Sequence, residues 1–304
     1  MSGRRVTERR AVAHRLAIVT SAATLVLIVF GGLVTNTGSA LAVPDWPTTF
    51  GHNMFLYPWS GMVGGVFYEH GHRLIGALVG LLTVGVAAAT WRRGPRLRAL
   101  GLVAVTLVVV QGVLGGLRVV LLKETLAIVH GCLAPAFLAL VVAIAFLTSR
   151  AAASRPEGID ASLRAPTLAA AGLLYAQVVF GALLTHAGWI DLHLVGAAVV
   201  FVFVPIATAR LRRTGDPVAM PVARALLILL AVQLVLGLGA FLARFSSAGI
   251  PGEQAALLIL PVAHRLVGGL LVAAAVVAAI RVTSSGAHAR EAAMSAPFAA
   301  GLSR

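Results

Sequence analysis

The stretch YEHGHRLIG at 68–76 sets a glutamate, two histidines and an arginine at the mouth of an apolar segment. Such side chains do distinct chemistry. A carboxylate moves protons, an imidazole ligates a metal, and a guanidinium pairs with an anion. Glu69 and His72 are three residues apart, which places them on one face of a helix. His70 and His72 are two apart and point to roughly opposite sides. If His72 faces the interior, His70 does not.

Three further histidines stand in comparable positions. His72, His130, His193 and His264 fall near the starts of the second, fourth, sixth and eighth apolar runs. Of the other histidines, His14 and His288 lie in polar tails, His52 lies in a loop, and His186 ends the fifth run. One histidine on every even run, at similar depth, is a pattern that isolated interfacial histidines do not produce. Ionisable groups inside a membrane are costly and mark functional sites.

The elements that must position these residues are transmembrane helices. The chain has 304 residues, 59% hydrophobic and 11% charged, with mean hydropathy +0.96. Soluble domains carry about a quarter charged residues, so a soluble globular fold is excluded. Eight apolar runs are expected to be helical, at 15–36, 67–91, 98–118, 125–148, 166–186, 191–210, 221–244 and 256–281. A bilayer leaves the backbone no partner but its own chain. The class is therefore all-α integral membrane, with eight transmembrane helices.

The net charge of +14 comes from arginines in short loops. Arg4, Arg5, Arg9, Arg10, Arg15, Arg92, Arg93, Arg96, Arg98, Arg150, Arg155, Arg164, Arg210, Arg212 and Arg213 fall on one side. The positive-inside rule makes that side cytoplasmic, puts both termini inside, and excludes a nucleic-acid partner as the reason for the charge. The first run is read as a retained helix rather than a signal peptide, because no small-residue cleavage site follows it. The single cysteine, Cys132, sits in an apolar run and reads as a core residue. The long first outer loop, 37–66, is aromatic and reads either as an interfacial belt (Trp46, Phe50, Tyr57, Trp59) or as a lid.

The chain also repeats itself. QGVLGGL at 111–117 resembles QVVFGAL at 177–183 and QLVLGLG at 233–239. HRLIGALVG at 72–80 resembles HRLVGGLLV at 264–272 and, less closely, HLVGAAVV at 193–200. This predicts two pseudo-symmetric four-helix bundles, 1–150 and 151–304, the second ending in a cytoplasmic tail. His72 pairs with His130 and His193 with His264, one pair per bundle.

Zinc would call for three or four ligands. Haem takes one or two axial ligands from facing bundle helices, so two bis-histidine haem sites are expected, with a proton relay or transporter as the competing reading. Gly71, Gly76, Gly131, Gly196, Gly268 and Gly269 either admit a flat macrocycle or pack helices. Arg73 and Arg265 follow His72 and His264 and either neutralise propionates or snorkel to headgroups. Glu69 has no counterpart beside the other histidines: Ala127, Ile190 and Pro261 occupy the equivalent positions. One site thus has an acid and the other does not, although Glu69 is also placed to bridge to Arg73 at i, i+4.

Glu69-x-x-His72-Arg73, single histidines on the other even runs, and TGSALAVPDWP at 37–47 together resemble the heme A synthase family, over about 15–281. The resemblance implies a bacterial cell-membrane enzyme that oxidises the C8 methyl of haem O to the formyl of haem A for terminal oxidases. It makes Glu69 the catalytic carboxylate, sets the iron of the substrate haem O between His72 and His130, and gives the iron of haem b to His193 and His264. It implies an unidentified electron donor, with haem O synthase, the terminal oxidase and a second copy of the chain as further partners. Many members carry loop cysteines, one near the PDW; here Val43 stands in that place, which excludes a disulfide-dependent handover through the loop. The alternatives are a non-enzymatic dihaem cytochrome b and a haem-handling assembly factor.

Overall fold

The computed structural model describes residues 2–245 and 252–299, with side chains at 11–245 and 252–284. His288 and the arginines at 4, 5, 9 and 10 fall outside the described side chains. Eight helices follow one another: α1 Ser2–Asn36, α2 Gly65–Thr90, α3 Pro95–Leu121, α4 Glu124–Thr148, α5 Arg164–Ala187, α6 Ile190–Ala209, α7 Ala219–Phe245 and α8 Glu253–Ala299. All eight are long and apolar enough to cross a membrane, and no strand is present among the described residues.

The helices overrun the apolar segments at both ends of the chain. α1 begins at Ser2 and α8 continues to Ala299, because the flanking tails are rich in alanine and arginine, which favour helix once one is nucleated. Threonines on the apolar helices satisfy their own hydroxyls. Thr20, Thr24, Thr83, Thr148, Thr167 and Thr208 each donate to the carbonyl four residues back, so a polar group in the bilayer has a partner.

Packing follows two rings of four. α1 touches α2 and α4, and α3 touches α2 and α4; α5 touches α6 and α8, and α7 touches α6 and α8. The rings join through α4 against α8, flanked by α1 on α8 and α4 on α5. This is the contact set of a two-fold relation that exchanges α1–α4 with α5–α8. Gly269 on α8 lies against Leu138 and Pro135 of α4, a close approach that a side chain would obstruct. Tyr175 of α5 donates its hydroxyl to the Cys132 carbonyl of α4 at 3.2 Å, which ties the rings at mid-helix.

A buried ion pair fixes α8 at the end of its apolar segment. Arg281 is 1% exposed and Asp216 is 0%. The guanidinium donates to Asp216 at 2.7 and 3.0 Å and to the carbonyls of Ser154 and Arg155 at 2.7 and 3.1 Å. Asp216 also accepts the N–H groups of Glu157, Val218 and Ala219. One arginine thereby gathers the loop after α4, the loop before α7, and α8.

Candidate functional site

Within each ring the even helices stand on one diagonal and the odd helices on the other. The even diagonal supplies imidazoles. His72 of α2 faces His130 of α4 with ring centres 6.3 Å apart and planes at 75°. His193 of α6 faces His264 of α8 at 6.1 Å and 67°. The structure therefore brings together the two pairs that the sequence predicts, with nearly the same geometry in each.

The odd diagonal supplies glycines. The Cε1 edges of His72, His130, His193 and His264 lie 3.1, 3.3, 3.4 and 2.9 Å from where a Cβ would stand on Gly31, Gly115, Gly181 and Gly237. Each odd helix thus leaves out one side chain so that an imidazole can lie against its backbone. The sequence reading named a different set. Gly71 lies under Phe30, and Gly196 under Gln177 and Phe180, so those two serve helix packing.

Four residues before each of these glycines stands the residue that meets the histidine ring. His130 Nδ1 bonds the Gln111 carbonyl at 3.1 Å, and His264 Nδ1 bonds the Gln233 carbonyl at 3.2 Å. Gln177 Nε2 lies 3.2 Å from His193 Nδ1 and donates to its carbonyl at 2.9 Å. Gln233 Nε2 donates to His264 Nε2 at 3.1 Å. At His130 and His264 the main-chain carbonyl draws the ring proton to Nδ1 and leaves the Nε2 lone pair available to a metal.

Both pairs fit a bis-histidine metal centre. An imidazole–metal–imidazole axis with metal–nitrogen bonds of about 2 Å, plus ~1.1 Å from each nitrogen to its ring centre, spans roughly 6 Å. Among the described residues no three His, Cys, Asp or Glu side chains converge as a metal site, so each pair offers two donors, the number that a haem takes. Gln111 Oε1, Gln177 Oε1, Gln233 Oε1 and His72 Nδ1 are buried without hydrogen-bond partners. All four lie in the walls of these pairs, and such atoms are rare in folded proteins unless a ligand or water meets them.

The first pair carries an additional assembly. Glu69 is 4% exposed. Its Oε1 accepts from Arg73 at 2.7 Å, and its Oε2 accepts the Val43 N–H at 2.9 Å. Arg73 also donates to the carbonyls of Val43, Asp45 and Thr48 at 3.0, 2.7 and 3.0 Å. The expected Glu69–Arg73 bridge is present, and Arg73 is committed to the loop between α1 and α2 as well. Arg265, its counterpart on α8, is described with one long bond, to Thr185 Oγ1 at 3.4 Å.

The loop itself folds into a plug. Asp45 accepts the N–H groups of Phe50 and Gly51 at 2.8 and 2.9 Å, and the Thr48 hydroxyl. Burial works to raise the Asp45 pKa, but the bonds from Gly51, Thr48 and Phe50 overcome it and hold the group at about 2. Trp46 lies on Gly116 of α3. His70, which points away from His72, is 1% exposed, meets the Thr49 hydroxyl at 3.1 Å and packs against the tilted Tyr57 ring with centres 5.2 Å apart. Phe55, Leu56 and Trp59 face outward, at 65%, 78% and 80% exposed. The loop is thus a cover on its inner side and an apolar surface on its outer side. His14 is also engaged, bonding the Ala145 carbonyl at 2.9 Å.

These features define a class: an eight-helix membrane protein with one facing histidine pair in each ring of four. The chain belongs to the COX15-CtaA family of cytochrome oxidase assembly proteins, whose family model matches residues 14–191. It is 37% identical over 110 residues to the heme A synthase of Shouchella clausii, a match covering 35% of each chain. It is 32% identical over 132 residues to the heme A synthase of Alkalihalophilus pseudofirmus, covering 41% of this chain and 43% of that one. The chain thus spans well under two thirds of these relatives in the matched stretches.

Proposed function

We propose that the protein oxidises the C8 methyl of haem O to the formyl group of haem A. The observation that carries this reading is the asymmetry between two otherwise equivalent histidine pairs. Both have the same spacing and the same glycine floor, yet only the first has a buried carboxylate three residues from a histidine, under a folded loop. The curated names of the two relatives and the cytochrome oxidase assembly description of the family support it.

On this reading residues 1–150 hold the substrate haem O between His72 and His130, and residues 151–304 hold haem b between His193 and His264. When bound, haem b supplies one-electron transfer. Two successive hydroxylations, each taking one oxygen atom from dioxygen with two electrons and two protons and releasing one water, would convert the substrate methyl to an alcohol and then to a gem-diol, which loses water to leave the formyl group; an external donor would supply the electrons by way of haem b. Glu69 accepts and returns protons at its carboxylate oxygens, held in place by Arg73 and the Val43 N–H. The loop plug keeps bulk water from the reacting edge. Arg265, with donor capacity left over, pairs with a propionate of the second haem. The arginine-rich loops face the cytoplasm of a bacterial cell, and both termini lie on that side.

Co-expression with a source of haem O, followed by extraction and mass identification of the pigments, tests the reading. Haem A is expected from the wild-type chain. In Glu69→Gln, haem should remain bound without haem A formation. A chain that holds two b haems and never changes the pigment composition is an electron carrier instead.

A further inference from the structure

The seam between the two rings is closed at mid-helix and open beyond it. At mid-helix Tyr175 reaches the Cys132 carbonyl, and Gly269 lies against Leu138 and Pro135. From that level towards the start of α3 and the end of α4, the seam holds a groove of about 420 Å³. α4 and α8 form its floor, and α3 and α5 its walls. Ala136, Ala139 and Ala143 of α4 leave open the space that larger side chains would fill. Ala139 is buried at the bottom, and Ala136 is half-buried along the side.

The groove has the length of a lipid chain and a charged mouth. Ala136 and Leu147 mark its ends on α4, about 16 Å apart along the helix axis. Half of a bilayer's hydrocarbon core is about 15 Å deep. Apart from Arg96 and the Tyr175 hydroxyl, every side chain that lines the groove is apolar. Arg96 stands at the mouth, one turn before Leu100 on α3. Arg164 precedes Ala171 by seven residues on α5, so it shares the groove face of that helix, two turns towards the same end. Among the described residues no carboxylate meets either guanidinium, since the ion pairs are those of Arg73, His186 and Arg281. Arg164 Nε is buried without a partner. The repeat puts Val218 in the place of Arg96, counting from Gly237 and Gly115, and His14 in the place of Arg164, counting from Gly31 and Gly181. His14 is already bonded to the Ala145 carbonyl, so the two-fold equivalent positions offer no such pair of cations.

We propose that this groove binds one anionic phospholipid, with an acyl chain along α4 and the phosphate held by Arg96 and Arg164. A cleft that faces hydrocarbon forfeits dispersion contacts unless a chain fills it, and any lipid tail does that. The two guanidiniums select the headgroup. A phosphate accepts their charge-assisted bonds, and basic pockets between transmembrane helices hold anionic headgroups in this way. A zwitterionic lipid would bring an ammonium group to the same two cations. The bound lipid touches α3 of the first ring and α5 of the second, and so fastens the seam where the Tyr175 tie does not reach. This proposal stands apart from the haem reading.

The test uses the full-length protein, purified in mild detergent and measured by native mass spectrometry. The wild type is expected to retain one phospholipid. After delipidation it should bind phosphatidylglycerol about tenfold or more tightly than phosphatidylcholine. Joint replacement Arg96→Gln and Arg164→Gln should remove that preference. Equal affinity for the two lipids in the wild type, or an unchanged preference in the double variant, would overturn the proposal and leave annular lipid only. Ala136→Leu gives a second measurement, because it fills the groove without removing either charge. It is expected to weaken both lipids alike, by about tenfold. Unchanged binding in that variant would overturn the placement of the chain, and an isoprenoid retained in place of a phospholipid would overturn the choice of occupant.

Discussion

The backbone N–H of Val43 donates to Glu69 Oε2 at 2.9 Å, which makes the carboxylate and the loop between α1 and α2 one unit. Arg73 closes the unit from the other side, bonding Glu69 and three loop carbonyls. Position 43 acts here through its backbone, so a valine in place of a loop cysteine keeps this contact. Replacing Arg73 with leucine removes all four bonds and leaves Glu69 buried beside an unneutralised site. The loop is expected to become a protease target in the folded protein, while the second pair keeps its haem. Arg73→Lys restores the charge but not the fork geometry, and should rescue only in part. Limited proteolysis with mass mapping reads the result; a loop as resistant in Arg73→Leu as in wild type would show that Arg73 does not hold it.

The glycine floor predicts a graded series. Alanine in a helix is favoured over glycine by about 0.5–1 kcal/mol, so alanine substitutions should not unfold the helices. They should instead push the imidazoles. The approach is tightest at Gly237, at 2.9 Å from His264 Cε1, and loosest at Gly181, at 3.4 Å from His193 Cε1. Gly237→Ala is expected to cost the second pair about tenfold or more in haem retention, and Gly181→Ala much less. Haem content per protein after purification checks the order.

The four histidines and their pairing were legible in the sequence, because one histidine per even apolar run at one depth is a regular signal. The eight helices were legible for the same reason: hydropathy over some 20 residues is a strong pattern. Gly31, Gly115, Gly181 and Gly237 were not, because a glycine in a membrane helix has many uses and only the tertiary contact tells which. His70 read as a bystander since it points away from His72, and nothing local shows that Thr49 and Tyr57 fold over it.

Arg281 and Asp216 were also invisible, being single charges at the ends of apolar runs. Their pairing yields a stability prediction. Asp216→Asn leaves Arg281 buried without a counter-charge, and breaking such a pair costs about 3–5 kcal/mol. Replacing both with neutral residues of similar size should cost less than either single change. Thermal unfolding in detergent measures this; a double variant less stable than both singles would contradict it.

Acid sensitivity follows from the two loop carboxylates. Burial works to raise the pKa of Asp216, but Arg281 and the N–H groups of Ala219, Glu157 and Val218 outweigh it and hold the group at about 2, against an ordinary value of 3.8. Asp45 is held at about 2 as well. A folded pKa below the unfolded one means that the stabilisation is complete above about pH 4 and is lost as pH falls towards 2. The unfolding midpoint of wild type should drop across that window, and Asp216→Asn should show a smaller drop. An unchanged slope in that variant would remove Asp216 from the effect.

The central claim is that the first histidine pair, with Glu69, carries out the oxidation and the second pair does not. Pigment extraction from cells co-expressing a haem O source with Glu69→Gln tests this most directly. The expected result is a protein that still binds haem at both pairs and yields haem O with no haem A. Abundant haem A from that variant would contradict the claim.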